Sequence, residues 1–475
     1  MSKTIFSMSW LMPFLAKTRL AVVPLIALFA AKAASGVPIA TPGMPGQRPL
    51  AFEHVTVVDL EQDKRLADRT VLIRDGKIER ITGPDITLPK QSLRIDATGC
   101  FLLPGLVEMH AHIPGASLDD AYRDRVLFLY LAAGVTTVRG MLGERSHLQL
   151  REESKNYHVL APRIFTSGPS FNGRSVNSVE TARQMVRDQH ESGYDFVKLH
   201  PGLSVAEYDA LAATARQIGI SFAGHVSLDV GLDHTLTARQ ATIDHLDGYM
   251  QALVPPGTRY DAADNGFFGA GLAGLADHER IAQLAVATAA AGVWNVPTQT
   301  LIENMVSSTD AETLAARPEM RYMPASIVRR WQDSKSRVLS GPDYDADLAR
   351  RFVDLRRQLI VALHRAGAGL LLGSDAPQVF NVPGFAIHRE LRLLVEAGLS
   401  PRDALLTGTA NPAKFFAASD TFGSVGVGLE ADLMLLTADP TKNIDNIAKI
   451  AGVVARGRWL SKATIDRRLE ALTQQ

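Results

Sequence analysis

The sequence predicts an α/β protein: a (β/α)8, TIM-like barrel with a small β-sandwich domain formed by both chain ends. Two patterns across its 475 residues predict it. Between 103 and 416, eight short apolar, strand-like segments alternate with helical stretches, as expected of parallel βα units closing a barrel. On either side, 50–102 and 417–475 are β-rich with tight glycine turns. Two such flanking segments are expected to meet in one small β domain.

At the start, Lys17 and Arg19 precede an apolar run over 20–31, and Ala31-Lys32-Ala33 offers a small-residue cleavage pattern. This reads as a secretory signal over 1–33, placing the mature protein in the periplasm or outside the cell. The run falls short of the ~20 residues a membrane span needs, so no membrane contact is expected beyond the signal, the alternative being an uncleaved anchor. Residues 34–49 are a Pro/Gly-rich linker with nothing to bury.

The first β section carries strand-like runs at 55–58, 70–74 and 77–81, with Asp75-Gly76 as a hairpin turn. Its counterpart is 431–436 and 452–460, after glycine-rich turns in 422–428. The barrel strands are expected at 103–110, 135–139, 163–168, 196–200, 220–225, 241–245, 293–298 and 369–375. Helices are expected over 205–217 and 353–365. Leu355, Leu359 and Leu363 mark an apolar face in the second.

Composition narrows the function. Fifty Lys+Arg balance fifty Asp+Glu, giving zero formal net charge without a basic block, which argues against nucleic acid as the main partner. Hydrophobic content of 46% and charged content of 21% exclude global disorder. The single cysteine, Cys100, permits neither an internal disulfide nor a thiolate zinc site. Metal chemistry must rest on imidazole, carboxylate or a modified side chain. A small molecule is the expected partner, and self-association into a homo-oligomer stays open.

Six residues fall at the ends of predicted barrel strands: His110 and His112, Lys198, His225, His245 and Asp375. In a strand, i and i+2 share a face, so the two imidazoles of His110-Ala-His112 point one way. Six such groups converging on a barrel mouth are hard to explain as core residues, because burying them unpaired is costly. Imidazole and carboxylate suit first-row divalent metals. An ammonium beside a cation would be repelled, so Lys198 is either a strand-end salt-bridge partner or a carbamate formed with CO2, which can bridge two cations.

At these residues the chain resembles the amidohydrolase superfamily, in particular its imidazolonepropionase-like and prolidase-like binuclear metal-dependent hydrolases. The resemblance rests on Leu103-Pro-Gly-Leu-Val-Glu-Met-His-Ala-His112, Phe196-Val-Lys198, Gly224-His225, Asp244-His-Leu246, Gly373-Ser-Asp-Ala376 and Glu430-Ala-Asp-Leu433. It also covers 390–401 and Thr409-Ala-Asn-Pro412. It implies a first metal on His110, His112 and Asp375, a second on His225 and His245, and N6-carboxylysine at Lys198 bridging them. Zinc is the leading metal, with manganese or cobalt as alternatives. Superfamily deaminases place a Glu shortly after the strand-five His. Here Val226-Ser-Leu-Asp229 follows instead, which disfavours deamination. The usual Arg-Asp after strand two reads Arg139-Gly140, leaving that role open.

The expected reaction is cleavage of a small-molecule amide or peptide C–N bond by metal-bridging hydroxide, with Asp375 as proton shuttle. Dipeptides, N-acyl amino acids and cyclic amides are the expected substrate types. His200, Tyr249 and His388 are candidate substrate contacts. The glycine-rich 265–271 and the stretch 301–349 are candidate lids, the latter holding an amphipathic helix over 320–331. Competing readings are a lactonase or phosphotriesterase on the same site, or a silent secreted binding protein.

Overall fold

The computed structural model describes residues 48–474. The expected signal peptide over 1–33, and the linker up to residue 47, lie outside the described residues. Among the described residues no helix is long and apolar enough to cross a membrane.

Both chain ends enter one eight-stranded sheet. Its N-terminal strands are β1 (Leu50–Asp59), β2 (Lys64–Arg74), β3 (Lys77–Thr82), β4 (Leu93–Asp96) and β5 (Phe101–Pro104). Asp75 and Gly76 both adopt positive φ (50° and 78°), the I′-type turn their sequence favours. β5 runs antiparallel to the late strand Leu433–Leu436, pairing Leu103 with Met434, and this ladder joins the chain ends. Seven of the eight strands follow one hydrogen-bonded path and β4 pairs with β1 off it, so the two chain ends meet in a single sheet. The core of that sheet is built from Phe52, Val55, Val57, Val71, Leu102, Leu433 and Leu435.

The middle of the chain is TIM-barrel-like. β6 (Leu106–Ala111), β7 (Val135–Gly140) and β8 (Arg163–Thr166) form one parallel arc, and β9 (Phe196–Leu199), β10 (Ser221–Gly224), β11 (Thr242–Asp244) and β12 (Trp294–Val296) form another. Parallel bridges Ser167 to Phe196, Asn295 to Leu370, and Ala111 to Ala376 link the arcs and return to β6. The expected first strand, 103–110, is divided. Pro104 pairs with Leu433 in the terminal sheet and Leu106 with Val135 in the barrel, so the boundary lies at Gly105.

The expected eighth strand, 369–375, contributes bridges and no regular ladder. It runs against β6 through Met109 N–H donating to Leu372 O and Asp375 N–H to His110 O. A Cβ at Gly373 would fall 2.4 Å from Val296 Cγ1 and 3.0 Å from His110 N. Only glycine permits that approach.

The helix Val205–Ile218 carries the capping box of Ser204 and Glu207. The helix Ala346–Arg365 buries Phe352, Leu355, Leu359 and Leu363, the face its periodicity predicts. The stretch 301–349 is largely helical, and the expected helix over 320–331 is broken at Pro324. A 3-10 turn spans Pro318–Tyr322, and the α-helix starts afresh at Ala325–Leu339. Proline has no N–H to continue a helix but can precede a new one. The last strands, β13 (Leu433–Leu436), β14 (Ile450–Ala455) and β15 (Arg458–Ser461), are followed by the helix Lys462–Thr473, in a segment expected to be β-rich.

Candidate metal centre

The ladders of β10 and β11 stop one residue short of His225 and His245. Where a ladder stops, the backbone can turn a side chain inward. His245 and Asp375 both sit at φ 62°, a conformation uncommon outside glycine and often found at functional sites. In β11 this lets Asp244 and His245, consecutive residues, both face the interior. Lys198, the third residue of β9, is fully buried.

His110, His245 and Asp375 present ligand atoms all within 4.8 Å of one another. Asp375 Oδ1 lies 2.6 Å from His112 Nε2 and 3.6 Å from His110 Nε2. His225 joins the group with its ring 4.7 Å from that of His245, and His200 lies 4.9 Å beyond His225. Five of the six expected metal residues and His200 are thus neighbours, and the sixth, Lys198, adjoins them through Asp244, whose Oδ2 is 3.7 Å from its Nζ and 3.0 Å from His110 Nδ1. Tyr249 and His388 are not brought to the cluster. The Tyr249 hydroxyl bonds with Thr288 and Asn295, while His388 Nε2 sits 2.8 Å from the carbonyl of Ala133.

Each of three imidazoles has its Nδ1 side against an oxygen. His225 Nδ1 is 3.2 Å from Asp247 Oδ2. His245 Nδ1 is 2.8 Å from Thr298 Oγ1. Because that hydroxyl donates to Pro297 O, its oxygen accepts from His245 Nδ1–H, leaving the Nε2 lone pair free. His110 Nδ1 lies 3.0 Å from Asp244 Oδ2, off the line of a hydrogen bond. Fixing Nδ1 so that Nε2 can bind an ion is how metal-ligating histidines are oriented.

Burial, reinforced by neighbouring cationic groups, holds His110, His225, His245 and His200 well below the usual imidazole range. They are therefore neutral, the form that binds metals. Burial also brings Lys198 down to about 8, opposed by Asp244 and Asp375. Its Nζ has no hydrogen-bond partner and lies 3.7 Å from Asp244 Oδ2. A buried cation with so few partners is costly, and the uncharged amine is the form that reacts with CO2. Neutral imidazoles, a convergent carboxylate and orphaned polar atoms fit a divalent metal centre.

Sequence reasoning missed the groups that support this cluster. Asp244 Oδ1 accepts from Arg139 at 3.3 Å and from Thr242 Oγ1 at 2.7 Å. Burial would raise its carboxyl, but Arg139 and Lys198 hold it below the usual range. Arg139 also donates to Met109 O and lies between the rings of Phe196 and Phe415, which gives the residue left open by sequence a place beneath the site. Glu108 accepts from the N–H groups of His110 and Ser374, tying β6 to the eighth segment; burial pushes its carboxyl up to about 8. A lone carboxylate inside Leu106-Val-Glu-Met-His was a legible sign, because such a group needs partners.

The amidohydrolase family matches residues 101–460. Among curated relatives, the dihydroorotase of Mycobacterium tuberculosis is 51% identical over 43 residues, 9% of this chain and 10% of that protein. The adenine deaminase of Listeria monocytogenes is 23% identical over 219 residues, 41% of this chain and 36% of that protein. The chain thus spans about a tenth and about a third of these relatives. Among solved structures, bottromycin amidohydrolase superposes with TM-score 0.70 at 23% identity, covering 90% of this chain and 91% of that one. A structure described as a putative prolidase from Bifidobacterium longum gives TM-score 0.64 at 23% identity, covering 90% and 99%. At this identity the likenesses establish the TIM-barrel-like fold. With the family matching three-quarters of its length, the chain belongs to the amidohydrolase family.

Proposed function

We propose that this protein is a metal-dependent hydrolase that cleaves an amide or peptide C–N bond of a small molecule. The observation that carries this reading is the convergence of His110, His245 and Asp375, beside a His225 and a His245 whose Nδ1 atoms face fixed oxygens. In this reading His110, His112 and Asp375 hold one divalent ion and His225 and His245 a second. Lys198, as a carbamate formed from its neutral amine and CO2 with release of one proton, would supply a further anionic ligand. When bound, the two ions lower the pKa of water and polarise the scissile carbonyl.

The protein's own groups do the rest. Asp375 takes up the proton of the attacking water at a carboxylate oxygen and delivers it to the leaving nitrogen. Gln378, donating to Asp375 Oδ1 at 2.9 Å, fixes the carboxylate plane. Asp244 and Arg139 close the floor beneath the cluster. His200, packed on His225, contacts the substrate. Residues 1–33 are read as a signal peptide, making the mature enzyme periplasmic or secreted, with the catalytic barrel running from the Gly105 boundary to about residue 416.

A panel of dipeptides, N-acyl amino acids, lactones and phosphotriesters, with and without chelator, tests the reading. Amide turnover abolished by chelator and restored by zinc, manganese or cobalt is expected. Turnover confined to lactones or phosphotriesters would overturn it. Sequencing the mature N-terminus tests the signal.

A further inference from the structure

The glycine-rich segment after β11 places an aromatic ring against the candidate metal ligands. Phe268 lies with its ring centroid 4.9 Å from His245 and 5.8 Å from His225, nearly parallel to the latter at 13°. Its own residue is left-handed (φ 51°, ψ 34°), between Gly266 at φ 62° and Gly269 at φ 84°. A Cβ on Gly269 would come 2.4 Å from Met250 Cβ. Phenylalanine seldom takes this conformation. Unlike its neighbour Leu272, which is fully buried, Phe268 packs against the barrel core but stays only partly buried, which leaves part of the residue accessible.

The rim continues this chemistry. Leu118, Leu228 and Tyr260 are exposed large apolar side chains. They follow β6, β10 and β11, in segments that lead out of the ligand-bearing strand ends on the face where barrel enzymes bind substrate.

We propose that Phe268 is a specificity-determining residue whose ring packs an apolar acyl or side-chain group next to the scissile amide, so that substrates are amides with an aliphatic or aromatic group there. This rests on the hydrolase reading above. A charged group at that position would lose water against the ring without gaining a partner. An aromatic wall of this size discriminates by about tenfold or more.

The test compares N-phenylacetyl-glycine with N-succinyl-glycine on the full-length metal-loaded protein, by kcat/KM and by calorimetric binding. The variants are Phe268→Asn, which tolerates left-handed backbone, and Phe268→Leu, which keeps the apolar contact. Wild type is expected to favour the phenylacetyl compound about tenfold. Phe268→Asn should abolish that ratio and Phe268→Leu should keep most of it, with metal content equal in all three. A ratio near one in wild type, an unchanged ratio in Phe268→Asn, or metal loss in that variant would overturn the proposal. If no amide is turned over, the hydrolase reading fails, and the binding ratio still decides the role of Phe268.

Discussion

His225 Nδ1 faces Asp247 Oδ2 at 3.2 Å, with that carboxylate also accepting from the N–H of Val226. Thr298 does the corresponding work for His245. Both supports come from the segments just past β11 and β12, so the two imidazoles proposed for the second ion are oriented by neighbouring strand ends. Removing such a support typically costs 10–100-fold in metal affinity. Asp247→Ala and Thr298→Val should each weaken binding of the second equivalent of zinc by roughly that factor in a competition titration. Thr298→Ser, which keeps the accepting oxygen, should bind as wild type. Equal affinity across all four proteins would remove these residues from the account.

Asp375 is assigned two tasks, and they separate by substitution. Asp375→Asn keeps an oxygen ligand but cannot take up a proton at neutral pH. It should lose turnover by about 100-fold or more while losing much less metal than His110→Asn/His112→Asn. Retained activity in the Asn variant, or metal loss equal to the double variant, would contradict the shuttle.

Gly373→Ala introduces a methyl 2.4 Å from Val296 Cγ1 and 3.0 Å from His110 N. Overpacking between β6, β12 and the eighth segment should destabilise by about 1–3 kcal/mol. A lower thermal midpoint and lower metal occupancy are expected together, since the strain moves Asp375. An unchanged midpoint would mean that this contact is looser than described.

Glu390 offers a pH test away from the metal ligands. Its carboxylate accepts from Gln299 N and Thr300 N at the start of the helix Gln299–Val306. Burial nevertheless pushes its carboxyl up to about 7 from 4.5. The folded state therefore holds a proton that the unfolded chain releases, so this group's stabilisation is full below pH 4.5 and declines as pH rises towards 7. Its component of the slope reaches about 1.4 kcal/mol per pH unit. Denaturant unfolding from pH 4.5 to 7 should show a shallower fall for Glu390→Gln than for wild type. Identical slopes would refute this.

What could be read from the sequence was governed by periodicity. The alternation of apolar runs with helices located seven barrel strands to within a few residues, because strand ends announce themselves by polar side chains such as His225 and His245. The eighth segment failed as a strand because its close contact through Gly373 is a three-dimensional fact with no local pattern. The terminal sheet shows the same limit: β5 and β13 are far apart in the chain, and nothing local says that they pair. Asp244, though part of a quoted motif, was given no role because period-two logic sends it to the opposite face from His245, and the positive φ of His245 brings both inward. Arg139 was visible as a departure, but its place between Phe196 and Phe415 depends on segments from opposite ends of the barrel.

The central claim is that these side chains hold divalent metal for catalysis. Metal analysis of the purified full-length protein, after equilibration with zinc and bicarbonate, tests it most directly. The account predicts about two divalent ions per chain, from the ligand sets assigned above, with a mass increase of one CO2 that disappears in Lys198→Ala. Fewer than one ion per chain would contradict it.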